Sequence, residues 1–194
     1  MKRFKSHFKV RTLMETLNLR DPNLEKYVEL EGDPLLPKRL NGFKPLTRRN
    51  GLVRIIERNQ SLILSRENEY ALFASYNWYR RELRGSYKKY VVTKHRNGLV
   101  GNYKKTRFFR SLLVKHNIPL VLYMIHYMGL KNNSEMCDIK SFGFEALDNS
   151  VRLFDINRKL KFSTYAGLAI HRGIRRGLDN AQKGKCATLT KKME

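Results

Sequence analysis

From Leu52 onward, apolar residues return every three or four positions, the spacing of helices that each bury one side. Leu52, Ile55 and Ile56 mark a short amphipathic segment, and the apolar run Leu62-Ile63-Leu64 follows it. Ser65 stands next as an N-cap, with Glu67 and Glu69 in the first turn, where carboxylates complement the positive helix end. Leu72, Tyr76, Tyr79 and Leu83 carry that helix forward at i+4, i+3 and i+4. A further stripe, Leu120, Val121, Met124, Ile125 and Met128, begins just after Pro119, a residue that a helix accepts only in its first turn. Asn133 or Ser134 caps the next helix, whose buried stripe is Ile139, Gly143, Ala146 or Leu147, Ser150 and Phe154. In the last helix Ile170, Ile174 and Leu178 repeat at i,i+4, Ser163 holds the N-cap position, and Thr164 and Tyr165 open the first turn. The pattern predicts an all-α fold.

Three stretches depart from it. Residues 1–50 carry a possible short helix from Val10 to Leu19, then Asp21-Pro22, Asp33-Pro34, Pro37 and Pro45, and read as a basic, Pro-interrupted arm. The arm's scattered Leu and Phe fit either a strap lying along another surface or a flexible tail. Within the helical domain, 51–178, the segment from Arg80 to Lys115 is dense in Lys and Arg against Glu82 alone, with Tyr87, Tyr90, Tyr103, Phe108 and Phe109 interleaved. Gly85, Gly98, Gly101, Asn97 and Asn102 predict a basic loop or small hairpin between Tyr90 and Tyr103, inserted over 85–106. Such interleaving suits a nucleic-acid backbone, and equally a solvated surface. Residues 179–194 form a basic tail with no clear apolar period.

Charge narrows the partners. The 194-residue chain carries a formal charge of +23 and a pI near 10.3, a surface that calls for polyanions, nucleic acid first. A membrane-surface or ribosomal protein would share that signature. No run reaches the roughly 18 apolar residues of a transmembrane helix, and MKRFKSHFKVRTLMETL lacks the apolar core of a signal peptide. Cys137 and Cys186 make neither a metal pair nor a disulfide framework, and His116 and His126 have no suitably spaced co-ligands, so a cytoplasmic chain with no metal and no cofactor is expected. Walker loop, paired catalytic carboxylates, Ser/His/Asp order and zinc spacing are all missing, so the chain is expected not to be an enzyme.

The most informative stretch is Asp155 to Gly177, DINRKLKFSTYAGLAIHRGIRRG. A basic lead-in of Asn157, Arg158, Lys159 and Lys161 carries Phe162, expected to be exposed, and His171/Arg175 and Arg172/Arg176 fall at i,i+4 on one broad face. Cations for phosphates, rings for bases and an apolar stripe for anchorage suit a strand being gripped and unstacked. KFSTYA and its Ile–basic–basic–Gly–Ile continuation resemble regions 2.3 and 2.4 of the bacterial sigma-70 family, the promoter-recognition subunits of RNA polymerase. DIKSFGFEALDNSVRLFD, from Asp138 to Asp155, is similar to that family's region 2.2 without a gap, through Asp138, Ile139, Gly143, Leu147, Val151, Phe154 and Asp155. Asn117-Ile118-x-Leu120-Val121 echoes region 2.1, and the segment from Leu52 to Leu83 has the order of region 1.2.

The resemblance implies a promoter-specificity subunit that binds core RNA polymerase and opens an A·T-rich element. Phe162, Thr164 and Tyr165 match the positions that capture a flipped base, and Arg172 and Arg175 those that read the element's upstream edge. Arg158, Lys159, Lys161, Ser163, Leu168, His171 and Arg176 complete the expected DNA face. A face of Asp138, Ser141, Glu145, Asp148 and Arg152, with Ile139 and Phe142 beside it, matches the surface that docks on the coiled coil of the largest catalytic polymerase subunit. The chain departs from the family at Ser141-Phe142, where a Gln-Glu pair is usual, and at Leu168-Ala169, where two tryptophans wedge into the duplex. Leu160 replaces a further aromatic. With no counterpart of regions 3 and 4, the expectation is a minimal factor like the late-transcription sigma factors of bacteriophages, with a possible co-activator for upstream contacts. A basic RNA-binding module and a sigma-derived adaptor that redirects polymerase without reading promoters are the alternatives.

Overall fold

Among the described residues six helices form where the apolar period runs, and there is no strand. The computed structural model describes residues 43–58, 64–93, 98–130, 136–158 and 160–193, with side chains as far as Gln182. The helices are α1 (Gly51–Arg58), α2 (Arg66–Thr93), α3 (Leu99–His116), α4 (Ile118–Tyr127), α5 (Met136–Leu153) and α6 (Phe162–Met193), all in a unit spanning Asp33–Glu194. The fold is all-α. Lys159, the predicted helix at Val10–Leu19 and the candidate caps Asn133 and Ser134 lie outside the described residues.

Helix starts follow local chemistry. Asn50 caps α1, its Oδ1 accepting the Leu52 N–H at 3.0 Å. Ser65 caps α2, accepting the Asn68 N–H at 3.3 Å on its hydroxyl. The backbone amide of Glu67 itself, and after it the Ser65 hydroxyl, hold the Glu67 carboxyl below its ordinary pKa. Pro119 sits in the first turn of α4, where its missing N–H costs nothing. That helix ends in a Schellman motif: Gly129, at φ 71°, donates to the His126 carbonyl, and Leu130 to that of Ile125.

Two expectations change. α1 turns Val53 and Ile56 inward and leaves Ile55 exposed, so its buried pair is one residue off the predicted set. Among its described residues the basic insertion is helical rather than loop or β-hairpin: α2 runs to Thr93 and α3 begins at Leu99, and the two helices pack as a helical hairpin. Gly85 and Gly101, read as breakers, sit inside helices with open space around them, at a tolerable ~1 kcal/mol each against alanine. Packing outweighs that cost. Leu83 and Leu99 are buried, Tyr79 stacks on Phe109 with centroids 5.3 Å apart, and the Asn102 amide donates to Ser86 Oγ at 2.8 Å and to the Glu82 carbonyl at 3.3 Å.

Residues 43–50, the described end of the arm, lie along this hairpin. The Leu46 N–H donates to Ser75 Oγ at 2.8 Å, and Leu46 O accepts from the Tyr79 hydroxyl at 2.9 Å.

α5 and α6 pack almost backbone to backbone. A Cβ on Gly173 would stand 2.5 Å from that of Ala146, and one on Gly177 would collide with the Phe142 ring. Gly143 meets both Val121 of α4, 2.6 Å from its would-be Cβ, and Ile174 of α6 at 3.5 Å. Its buried face, Ile139, Gly143, Leu147, Ser150, Val151 and, just past the helix end, Phe154, holds every predicted stripe position except Ala146. The last helix continues to Met193, so the expected tail of 179–194 is helical through that residue.

Gly173→Ala should destabilise the fold by about 1–3 kcal/mol through overpacking, with partial relief from Ala146→Gly, whereas Gly85→Ala should stabilise it by about 0.5–1 kcal/mol. Urea midpoints of the variants check both signs. His116, at the end of α3, has a buried Nδ1 without a hydrogen-bond partner, and burial lowers its pKa below the ordinary 6.5. The unfolded chain therefore takes up the proton first as pH falls. Stability should begin to drop below pH 6.5 and stop dropping once the folded-state pKa has been passed. A His116→Gln variant should lose that segment of the stability–pH curve.

Candidate nucleic-acid interface

The lead-in to α6 is a turn built by Asp155. Its Oδ1 accepts from both the Asn157 N–H and the Asn157 side-chain amide at 3.0 Å, and its Oδ2 lies 3.8 Å from Arg158 Nε. Arg158 still presents its guanidinium to solvent, and Leu160 and Lys161 are exposed beside it.

Phe162 does the reverse of what was expected. It is fully buried, with its ring 4.8 Å from Phe73 and 5.2 Å from Phe154, and Phe73 and Phe154 are themselves 4.8 Å apart. This ring anchors α6 and cannot receive a base. Its place was legible in the very stripe already recognised, because Ile174, Ile170, Ala166 and Phe162 step back at i−4 and all four are buried. Ser163 is likewise not the cap. The helix starts at Phe162, two residues before the expected first residue Thr164, and Ser163 is exposed in its first turn. The Phe162 N–H instead donates to Glu69 Oε1 at 2.9 Å, so α2 supplies the acidic group at the positive end of α6.

Beside this junction lies a shallow cleft of about 210 Å³ lined by Arg66, Glu69, Tyr70, Phe154, Ile156, Asn157, Arg158 and Leu160. That is below the roughly 300–1,000 Å³ of small-molecule sites. Sequence reasoning passed over Glu69 as a contact to α6 and over Tyr70 altogether, since a pairing of residues 93 positions apart leaves no local trace.

The other candidate positions of α6 differ in exposure. Thr164, Leu168, Arg172, Arg175 and Arg176 are exposed, and Tyr165 and His171 are half-buried. Tyr165 leans on Phe154 with centroids 5.6 Å apart. The structure thus brings the cations and Leu168 together on one helix and withdraws Phe162 from them.

On α5 the predicted docking face divides. Asp138, Ser141 and Glu145 are exposed. Ile139 is core, and Phe142 is a packing residue against Gly177. Asp148 is held by Arg110 of α3, whose Nε donates to Oδ1 at 2.9 Å while Nη2 binds Oδ2. Arg152 bonds Asn149, and its carbonyl accepts from the buried Arg80 at 3.1 Å. Four of the seven residues therefore serve the fold: Ile139 belongs to the apolar stripe, Phe142 packs on α6, and the α2–α3 hairpin engages Asp148 and Arg152 at an edge of α5 that the helical period alone leaves open.

No protein-family profile, curated protein or solved structure matches the chain. Among the described residues, no helix is long and apolar enough to cross a membrane.

Phe162→Ala should cost about 3–5 kcal/mol, the range for emptying an aromatic core site, while Leu168→Ala on the exposed face should stay within about 0.5 kcal/mol of the parent. Equilibrium urea denaturation of both variants distinguishes an anchor from a surface ring.

Proposed function

We propose that the chain is a minimal sigma-type specificity subunit that docks on core RNA polymerase through the acidic edge of α5 and grips A·T-rich promoter DNA along α6. The observation that carries this reading is the opposed charge of two helices packed through glycines. Asp138 and Glu145 lie exposed on one, and Arg172, Arg175 and Arg176 lie exposed on the other. A rigid pair of this kind can hold a cationic grip at a set distance from an acidic dock. The gapless resemblance from Asp138 to Gly177 supplies the identity of the partners.

The chemistry is binding and strand separation, and bond-making belongs to the polymerase. Arg172, Arg175 and Arg176 engage phosphates and displace counterions, which makes affinity fall steeply with salt. Unstacking a base costs a few kcal/mol, and stacking on a ring returns about 1–3 kcal/mol, so opening needs both flexible TA steps and rings. With Phe162 in the core, Tyr165 and the Tyr70–Leu160 cleft are left to meet bases at this end. Such a factor works beside the polymerase in the cytoplasm, and a co-activator is the natural source of upstream contacts. A second reading, an adaptor that occupies polymerase without opening promoters, is favoured by the burial of Phe162 and by Leu168-Ala169 standing at the wedge.

Co-purification with core polymerase and permanganate footprinting on A·T-rich templates test the proposal. Asp138→Ala with Glu145→Ala should reduce polymerase capture at least about tenfold, a loss of ~1.4 kcal/mol, and leave DNA affinity unchanged. Arg172→Ala with Arg175→Ala should do the opposite and flatten the log–log salt slope by about 2. Capture with no permanganate-reactive bases selects the adaptor, and absence of capture removes both.

A further inference from the structure

Helix α3 carries a row of exposed cations that takes no part in the α6 grip. Contacts to the arm place it. The Arg48 guanidinium lies over the Phe108 ring, 4.2 Å from its centroid. Lys105 Nζ stands 5.3 Å from the Tyr79 centroid, and the Tyr79 hydroxyl donates to Leu46 O at 2.9 Å. Lys105 and Phe108 are neighbours at i,i+3 on α3, so Arg48 and Lys105 share the side of that helix along which the arm runs. Lys104 stands at i−4 from Phe108 and Lys115 at i+7, which puts both on the same stripe. Arg48, Lys104, Lys105 and Lys115 are all exposed.

The row offers charge and little else. Neither residues 43–50 nor α3 contains a carboxylate, and Glu82, across the hairpin on α2, is engaged by Arg81 at 3.4 Å. The nearby rings support cations or the core. Phe108 lies under Arg48 and edge-on to Phe109, Trp78 carries Arg81, and Tyr79 is buried. An unpaired base therefore finds no open ring to stack on. Among the described residues, none of the exposed large apolar side chains lies on 43–50 or on α3. A lipid surface, which takes apolar anchors as well as cations, finds none here. From Lys104 to Lys115 the row runs about 16 Å along the helix axis, the axial length of about five base pairs. That is too long for a free phosphate. It fits the backbone of a duplex, which shows its phosphates in a stiff line and hides the faces of its bases.

We propose that Arg48, Lys104, Lys105 and Lys115 form a second nucleic-acid surface, which holds the phosphate backbone of a duplex without reading its sequence. The inference goes beyond the promoter reading, since this contact needs neither polymerase nor strand opening. Arg48 suits the task, because a guanidinium resting on a ring keeps N–H donors for phosphate oxygens.

The test uses the full chain and two labelled duplexes of unrelated sequence, each about 20 base pairs and so longer than the row, read by fluorescence anisotropy across a salt series. Lys104→Gln with Lys105→Gln should weaken both duplexes alike and flatten the log–log salt slope by about 2. Adding Arg48→Gln and Lys115→Gln should bring the flattening to about 3 to 4 and the loss of affinity to about tenfold or more. Exchanging lysine and arginine at all four positions should preserve the parent slope. Arg58→Gln with Lys140→Gln, which removes two charges from α1 and α5, should leave it unchanged. Circular dichroism confirms that the variants remain folded. An unaltered slope in the Lys104/Lys105 variant, an equal flattening by the α1–α5 control, or a loss on one duplex alone overturns the surface. So does a loss confined to single strands, or to phosphatidylglycerol vesicles, with duplex affinity intact. The expected slope change in a chain that captures no polymerase keeps the surface and removes the sigma-type reading, and polymerase capture with an unaltered slope does the reverse.

Discussion

The placement of α6 depends on one aromatic contact. Phe162 enters between Phe73 of α2 and Phe154 at the end of α5, so three elements distant in sequence meet at a single side chain. Buried aromatic rings contribute both area and edge-to-face geometry. With that ring fixed and its amide tied to Glu69, the register of the whole helix follows. Ala166, Ile170 and Ile174 turn inward, and Thr164, Leu168, Arg172 and Arg175 turn out. A rotation of one residue forward would bury His171 and Arg175, and one backward would bury Lys161.

The glycines of the α5–α6 seam add a second constraint. With Gly143, Gly173 and Gly177 leaving no space for side chains, the helices approach closely and cannot slide without a clash. Charge is partitioned on this frame. Part of the chain's cationic excess serves its own fold: Arg81 lies 4.2 Å from the Trp78 centroid, and Arg110 pairs with Asp148. A charge of +23 is therefore a poor measure of how much positive surface a polyanion meets. The exposed cations of α6 and of α3 are a better one.

Where sequence reasoning succeeded, periodicity and local hydrogen bonding governed the outcome. The α2 stripe, the Ser65 cap, Pro119 in a first turn and the α5 stripe all depend on neighbours within about one helical turn. Where it failed, a long-range contact prevailed. The α2–α3 hairpin is helical through Gly85 and Gly101 because cross-helix packing and the Asn102 bonds outweigh local propensity. Asp148 was read as part of an open acidic face because its partner Arg110 lies 38 positions away.

Hydrophobic spacing by itself determined that the chain is helical, where most helices run, and which side of α5 and α6 is apolar, since those properties depend on residues three and four apart. Only the tertiary structure decided which polar and aromatic groups remain available. It buried Phe162, tied Asp148 and Glu69 to other helices, and set Arg48 of the arm on Phe108 in line with Lys104 and Lys105. The physical reason is that exposure is a property of surfaces in contact, and a one-dimensional period cannot specify which surface will meet which.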